Sequence, residues 1–158
     1  MSDHNKLRRH FLGLAGLFGA GVISRPVAAH HTETHFEDTS KHRLVYQCNK
    51  SDPDYIDHVL FSCAEMLRKY GDNIELVVAV FGAGLHLLGK NPGRPISKQQ
   101  QERVASLANY GVAFHACGNT MKSLKWTDKD ILGLAKIVPI GVDDLMQLQE
   151  QGFSYFSW

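Results

Sequence analysis

The residue pair best suited to chemistry is Cys117 with His115, which precedes it by two positions. Residues two apart on a regular strand project from the same face. The imidazole could therefore exchange a proton with the thiol or, when protonated, stabilise the thiolate. The turn after Cys117 would add backbone N–H groups that lower the pKa of a thiol. We take Cys117 as a candidate nucleophile and His115 as its tuning group; a small buried cysteine that only fills a strand end is the alternative.

Two further cysteines are present. Cys48 also ends an apolar segment, and in the common doubly wound sheets strands one and three are neighbours. If so, Cys48 could pair reversibly with Cys117 as a resolving thiol; two unrelated thiols at one edge are the alternative. Cys63 lies on the apolar stripe of a predicted helix and is expected in the core. An odd count leaves at least one cysteine free or paired between chains.

Small residues follow two of the predicted strands. Ligand sites in open α/β sheets lie beyond the carboxyl ends of the strands. The residues predicted to line a small-ligand site there are Gly82, Gly84, Gly118, Asn119 and Thr120. The glycine spacing does not match the dinucleotide fingerprint, so we predict no cofactor. His86 either faces the same cleft or packs against its neighbours.

Residues 1–29 have the layout of a secretory leader, with a basic patch, an apolar run and small residues at a cleavage site. The string Arg8-Arg9-His10-Phe11-Leu12 resembles the twin-arginine signal, although Leu7 stands where that signal usually has Ser or Thr. The apolar run Phe11–Ile23 has 13 residues, and a bilayer-spanning helix needs about 20. We expect cleavage after Ala29, export to the periplasm and no stable membrane insertion afterwards. An amphipathic N-terminal helix is the alternative.

Residues 30–42 are polar and aperiodic, which predicts a flexible arm ahead of one domain over residues 43–158. The arm contains three closely spaced histidines, His30, His31 and His35. Imidazoles together with a free amine can bind copper, nickel or zinc. A solvated arm without metal is the simpler interpretation.

The charge balance changes once the leader is set aside. The full chain of 158 residues has a formal net charge of +1, but residues 1–29 hold four of its 17 Lys and Arg and one of its 16 Asp and Glu. The remaining 129 residues therefore carry about −2. This balance argues against a charge-driven nucleic-acid partner. The length suits a single domain, because single cores occupy roughly 100–200 residues.

Strand and helix patterns alternate after the arm. The predicted strands are Arg43–Cys48, Ile74–Phe81, Gly111–Cys117, Ile137–Val142 and Phe153–Phe156. The predicted helices run from Asp52 to Gly71, briefly after Gly84, over Ser97–Tyr110 and Asn119–Leu124, from Thr127, and over Asp143–Gln151. Such alternation predicts a three-layer α/β/α Rossmann-like sandwich with a mostly parallel sheet of about five strands.

The segment Gly111–Lys122, which contains Cys117-Gly118-Asn119-Thr120, resembles the DsrE/DsrF-like family, and in particular its branch with a Cys-x-Asn-Thr motif. Ile137–Val142 and Leu145–Tyr155 resemble the closing part of that branch, and the similarity covers about Arg43–Tyr155. The resemblance implies a Rossmann-like fold and homo-oligomeric assembly. It also implies that the strand-end cysteine, here Cys117, carries sulfur as a persulfide and passes it to a partner protein.

The main hypothesis is a periplasmic protein that binds or transfers sulfane sulfur on Cys117, with a sulfur donor or acceptor protein as its partner. Two alternatives stay open. One is an interaction module of the same fold that binds a small ligand or protein without chemistry, and the other is metal binding through the His-rich arm. Whether the protein is an enzyme also stays open, since a sulfur carrier or transferase is the most that the residues suggest.

Overall fold

The computed structural model describes residues 42–158. The predicted leader and nearly all of the predicted arm lie outside these residues. Among the described helices, none has the length and apolar character required to cross a membrane.

Strands and helices alternate along the described chain, as the sequence predicts. The order is β1 (His42–Cys48), α1 (Pro53–Tyr70), β2 (Ile74–Val80), α2 (Lys98–Asn109), β3 (Ala113–Cys117), α3 (Gly118–Ser123), β4 (Ala135–Val138), α4 (Gly141–Glu150) and β5 (Ser154–Phe156). Short 3-10 helices occupy Gly71–Asn73, Gly82–Leu88 and Asp128–Asp130.

The two longest helices, α1 and α2, begin at residues whose side chains cap them. The Asp52 carboxylate accepts the Tyr55 N–H at 2.9 Å, and Pro53 occupies the first turn of α1, where no backbone donor is needed. α2 starts with a capping box in which Ser97 and Gln100 bond each other's backbone N–H. Local sequence therefore determines where α1 and α2 begin.

The five strands form one parallel sheet in the order β4-β3-β2-β1-β5. The connections β1–β2, β2–β3 and β3–β4 all step in one direction across the sheet, and right-handed crossovers therefore place their helices on one face. The connection from β4 to β5 runs in the opposite direction and places α4 on the other face. Accordingly α1, α2 and α3 pack on the larger core, whereas α4 packs on a smaller cluster around Val45, Val77 and Ala79. The predicted α/β fold is confirmed.

The predicted limits of the fourth strand are wrong. The strand covers Ala135–Val138 instead of Ile137–Val142, and α4 begins at Gly141, two residues earlier than predicted. Proline cannot donate a ladder hydrogen bond, so Pro139 ends the strand. This earlier start of α4 matters for the site described below.

The helix predicted from Thr127 is also wrong. The capping contacts form, since the Asp130 carboxylate accepts the Thr127 N–H at 2.7 Å, but only one 3-10 turn follows. Ile131 then bridges Gly89, and the Leu132 N–H donates to the Leu88 carbonyl at 2.8 Å. Pairing with this distant segment holds the chain extended and prevents a helix.

Candidate functional site

β3 pairs with the edge strand β4, so their carboxyl ends lie side by side at the same end of the sheet. The chain leaves β3 towards the face that carries α3 and leaves β4 towards the face that carries α4. Ligand sites in open α/β sheets lie beyond the carboxyl ends of the strands. Cys117, the last residue of β3, and Gly141, the first residue of α4, meet there.

The Cys117 sulfur is held against the start of α4. Cys117 is 5% exposed, and the Gly141 N–H donates to its Sγ at 3.2 Å. A β-carbon on Gly141 would lie only 3.1 Å from the Cys117 Cβ and 3.2 Å from the Cβ of Phe81. The absence of a side chain at Gly141 therefore permits the approach that brings its N–H to the sulfur.

The surroundings of Cys117 favour its thiolate. Burial raises the pKa of the Cys117 thiol, but hydrogen bonding outweighs burial and holds the pKa below its ordinary value. The Gly141 N–H is hydrogen-bonded to the sulfur, and the nearby Thr120 hydroxyl and the Thr120 and Asn119 N–H groups also lower the pKa. Since the thiolate is the nucleophilic form, these donors prepare Cys117 to attack. The direction agrees with the expectation from the sequence.

His115 lies on the same face of β3 as Cys117, but its bonded partner is a residue of α4. Its side chain is 7% exposed, and Nδ1 lies 2.7 Å from Oδ2 of Asp144, which is 14% exposed. A carboxylate oxygen can only accept, so Nδ1 carries the hydrogen. Among the described residues, the ring is thus hydrogen-bonded to Asp144 and not to Cys117. Any influence of His115 on the thiol is indirect in this structure.

Two of the predicted ligand-binding residues come together at the site. The Gly82 N–H donates to the Thr120 hydroxyl oxygen at 3.1 Å. That oxygen is thereby engaged as an acceptor, and its own hydrogen is available for the Cys117 sulfur. Gly82 thus supports the donor that stabilises the thiolate.

The other predicted ligand-binding residues make close backbone contacts. A β-carbon on Gly84 would lie 2.3 Å from the Cys48 carbonyl oxygen, and one on Gly118 would lie 3.1 Å from the Val138 carbonyl oxygen. The Asn119 N–H donates to the Pro139 carbonyl at 3.1 Å. These residues hold the strand-end loops together; that they bind a ligand stays a prediction.

Cys48 does not lie beside Cys117 in this chain, and the expectation that strands one and three are neighbours is wrong. β1 pairs with β2, the next strand along the chain, so β2 separates it from β3. Two strand spacings amount to about 10 Å, and a disulfide requires Cα atoms within about 7 Å. Cys48 also points into the core on the α1 face. It therefore cannot resolve Cys117 within one chain.

Cys63 and His86 both have structural roles. Cys63 is fully buried in the core, as predicted, and burial raises its pKa to about 12. His86 is 7% exposed; its Nδ1 accepts the Gly93 N–H at 3.0 Å and its ring meets Trp126 edge-on. Of the two interpretations of His86, the structure supports packing.

A cleft of about 350 Å³ borders the site on the α3 face. Gly118 and Pro139 form its wall towards the site, and Lys122 and Trp126 contribute a cation and an aromatic ring. The Cys117 sulfur faces α4 instead, because its Sγ accepts from Gly141. A ligand in this cleft would lie beside the thiol's loop without touching the sulfur.

Sequence reasoning missed two residues of the site. Gly141 falls within the predicted fourth strand, and Asp144 falls within the predicted helix Asp143–Gln151 with no role predicted at the site. The signal that could have found Gly141 is Pro139, which ends the strand early and moves the helix start towards Cys117. With α4 beginning at Gly141 beside Cys117, Asp144 lies three residues further along the same turn and within reach of His115.

No group of three or more His, Cys, Asp or Glu side chains within residues 42–158 is arranged to hold a metal ion. The histidines considered for metal binding, His30, His31 and His35, lie outside the described residues. Metal binding by the arm stays a prediction.

The fold and site define a class: a parallel α/β protein with a buried cysteine at the carboxyl end of β3, where the pKa of the thiol is held below its ordinary value. The chain belongs to the DsrE/DsrF-like family, whose model matches residues 43–158. It is similar in structure to the protein of unknown function MTH1491 from Methanobacterium thermoautotrophicum, with 20% identity and a TM-score of 0.67 over 74% of this chain and 99% of that one. The ychN protein from E. coli is also similar, with 11% identity and a TM-score of 0.58 over the same shares. At these identities the two structures support the fold alone. No curated protein matched the chain.

Proposed function

We propose that this protein carries sulfane sulfur on Cys117 and transfers it to a partner. The observation that carries the proposal is the Cys117 thiol, whose pKa is held below its ordinary value while Gly141 donates to Sγ at 3.2 Å. Membership in a family generally associated with sulfur relay supports the same chemistry. The active group would be the Cys117 thiolate, with Gly141 as its hydrogen-bond donor and Thr120 and Asn119 beside it.

The loading step is a thiolate displacement. The Cys117 thiolate attacks the outer sulfur of a donor persulfide, R–S–SH, and forms a new S–S bond as the donor's S–S bond breaks. The donor leaves as the thiolate R–S⁻, and the proton stays on the transferred sulfur, so no external oxidant is needed. The product on Cys117 is the neutral persulfide Cys–S–SH.

The unloading step is the same reaction on an acceptor. An acceptor thiolate attacks the outer sulfur of the Cys117 persulfide and takes it, and Cys117 is released as a thiolate. A low thiol pKa makes Cys117 a good leaving group in this step. The donors around Cys117 therefore favour both halves of the transfer.

The proposal places the protein in the periplasm, on the basis of the leader pattern in residues 1–29. Replacing Arg8 and Arg9 together with lysine should keep the protein in the cytoplasm at its full mass. The unaltered chain should appear in the periplasmic fraction with His30 at its N-terminus. Cell fractionation with N-terminal mass analysis decides this part independently of the chemistry.

The proposal includes self-association, as the family resemblance implies. Exposed apolar side chains cluster on and beside α4: Ile140 is 46% exposed, Val142 64% and Met146 51%. Contiguous apolar surface of this kind is typical of protein contacts. Size-exclusion chromatography with light scattering should give a multiple of the chain mass, and Val142→Glu should lower it.

Mass spectrometry of the protein after incubation with polysulfide tests the sulfur-carrier role. We expect adducts of 32 Da that map to the peptide containing Cys117, because its thiolate is favoured. Cys117→Ser should abolish them, whereas Cys63→Ala, which removes a buried thiol, should not. Adducts that survive Cys117→Ser, or none on the unaltered protein, would overturn the proposal. If a partner or small ligand still binds Cys117→Ser unchanged, the non-catalytic module is supported instead.

A further inference from the structure

Two contacts join the first turn of α4 to β3, and they lie side by side. At Cys117, the Gly141 N–H donates to Sγ at 3.2 Å. At His115, two residues earlier on the same face of β3, Nδ1 lies 2.7 Å from Oδ2 of Asp144. Gly141 and Asp144 are three residues apart, and so stand on the same side of the helix. The contact between Asp144 and His115 is therefore positioned to hold the Gly141 N–H on the Cys117 sulfur.

The His115–Asp144 contact is well placed for this. It is nearly buried, at 7% and 14% side-chain exposure, so water competes weakly for either group. The other acid in the turn, Asp143, instead accepts a hydrogen bond from Gln147 on its own helix at 2.7 Å. Asp144 is thus the acid of this turn that reaches across to the strand.

The Asn119 N–H bonds the Pro139 carbonyl just ahead of α4, and Leu145 packs in the smaller cluster. No side-chain cap bonds the first turn of α4, whose capping residue is Ile140. A shift of this turn away from β3 would lengthen and weaken the contact between the Gly141 N–H and the sulfur. A clamp between His115 and Asp144 would prevent such a shift.

We propose that Asp144 is a positioning residue for Cys117, which acts by anchoring the first turn of α4 to His115 and so keeps the Gly141 N–H on the sulfur. The proposal rests on the proposed function in that it takes Cys117 as the reactive group. Asp144 touches neither the sulfur nor a substrate.

The direction in which the pKa of the Cys117 thiol changes distinguishes this positioning role from a direct effect of the Asp144 charge. A carboxylate near a thiol disfavours the thiolate, so its removal should lower the thiol pKa if charge alone mattered. Loss of the clamp should instead raise that pKa, because a donor to the thiolate is lost. The groups that carry charge or titrate on the elements around Cys117 are His115 on β3, Lys136 on β4, Lys122 on α3, and Asp143, Asp144 and Glu150 on α4.

The test is the rate of iodoacetamide alkylation of Cys117 in the full-length protein, followed by mass spectrometry from pH 5 to 9. Asp144→Ala should move the midpoint of the profile up by about one pH unit and slow alkylation at pH 7 about tenfold, since one pKa unit is tenfold in thiolate. Asp144→Asn should stay within about threefold of the unaltered protein, because its amide oxygen can still accept from Nδ1. A midpoint that falls or stays unchanged in Asp144→Ala would overturn the proposal.

Asp143→Ala is the matched control. It removes a carboxylate from the same turn but leaves the His115 contact in place, so its alkylation midpoint should stay or fall slightly. If Asp144→Ala does not fold, Asp144→Glu serves instead: it keeps the charge but misplaces the carboxylate by one methylene. The clamp predicts slower alkylation for Asp144→Glu, and an unchanged rate would contradict it.

These outcomes are independent of sulfur transfer. Iodoacetamide reports the thiolate whether or not Cys117 accepts sulfur. Absence of 32-Da adducts would overturn the proposed function and leave the role of Asp144 intact. An unchanged alkylation profile in Asp144→Ala and Asp144→Glu would overturn the role of Asp144 and leave the proposed function intact.

Discussion

β1 and β3 end at the same edge of the sheet, and each ends in a buried cysteine. Cys48 lies in the core on the α1 face, and burial raises the pKa of its thiol to about 12. Cys117 is 5% exposed but lies closer to the protein surface, so burial raises the pKa of its thiol less than that of Cys48, and hydrogen bonding lowers that pKa below its ordinary value. Position at a strand end is therefore not sufficient to activate a thiol.

The difference comes from topology. After β1 the chain passes into α1 on the face that Cys48 already points to, so apolar helix residues cover that thiol. At the end of β3 the chain leaves on one face, while α4 arrives from β4 on the other and presents the Gly141 N–H to the sulfur. The Cys117 sulfur therefore lies between two loops that leave the sheet on opposite faces, and the loop after β4 supplies the Gly141 donor.

The strongest test of this comparison is selective labelling of the native protein. At pH 7 we expect iodoacetamide to modify Cys117 at least about 100-fold faster than Cys48, because each pKa unit is tenfold in thiolate and nucleophilicity offsets only part of that. Peptide mapping by mass spectrometry gives both rates. In denaturant the two rates should converge. Comparable rates in the native state would show that the two strand ends do not differ chemically.

The second test removes the donor that distinguishes Cys117. Gly141→Ala should slow alkylation at pH 7 about tenfold and lower the free energy of unfolding by about 1–3 kcal/mol, because the new Cβ would crowd Cys117 and Phe81 and push α4 away. Gly133→Ala is the control, since a Cβ there meets nothing within 4 Å. Chemical denaturation and alkylation rates measure both effects. A Gly141→Ala variant with unaltered thiol reactivity would remove Gly141 from the explanation.

The sequence could predict much of the Cys117 end of the site but not what completes it. Strand periodicity placed Cys117 and His115 on one face of a strand, and Gly118 marked the turn that follows. These are local features, set by residues within a few positions of one another. Gly141 lies 24 residues away, and its contact with the sulfur depends on where Pro139 ends β4.

Strand order was the other limit. Whether Cys48 could reach Cys117 depended on which strands are neighbours, and helical connections of similar length fit several orders. Apolar runs such as Ile74–Val80 show that a strand is buried on both faces but not which strands flank it. The contact between His115 and Asp144 depends on the same tertiary information, since 29 residues separate the pair.

The third test weakens one donor instead of removing the helix contact. Thr120→Val deletes the hydroxyl that stabilises the Cys117 thiolate and that accepts the Gly82 N–H. The alkylation midpoint should rise and the rate at pH 7 should fall about threefold to fivefold, less than a full pKa unit, because the N–H donors remain. Thr120→Ser keeps the hydroxyl and should behave like the unaltered protein. If both variants match it, the hydroxyl contributes nothing to the thiol.

The smallest expected effect is on stability and comes from His86. This residue lies in the segment after β2, the strand between β1 and β3. Burial, with a smaller contribution from the charge of Arg94, lowers the pKa of His86 below its ordinary value of about 6.5. The unfolded chain therefore takes up a proton at His86 before the folded chain does. Stability from this group is fully present above about pH 6.5 and is lost as the pH falls below it.

Protonation of His86 would also break the hydrogen bond that Nδ1 accepts from the Gly93 N–H. Urea titrations at pH 7 and pH 5 should thus show a loss of about 1 kcal/mol or less that His86→Gln does not show, since glutamine cannot titrate and its oxygen can still accept. His58→Gln, at an exposed position of α1, should keep the pH dependence of the unaltered protein. Neither variant should change the alkylation of Cys117, because His86 packs against Trp126, away from the sulfur. A changed thiol profile in His86→Gln would mean that the segment after β2 couples to the Cys117 site, and that the contrast between the two strand ends is not set by the Gly141 contact alone.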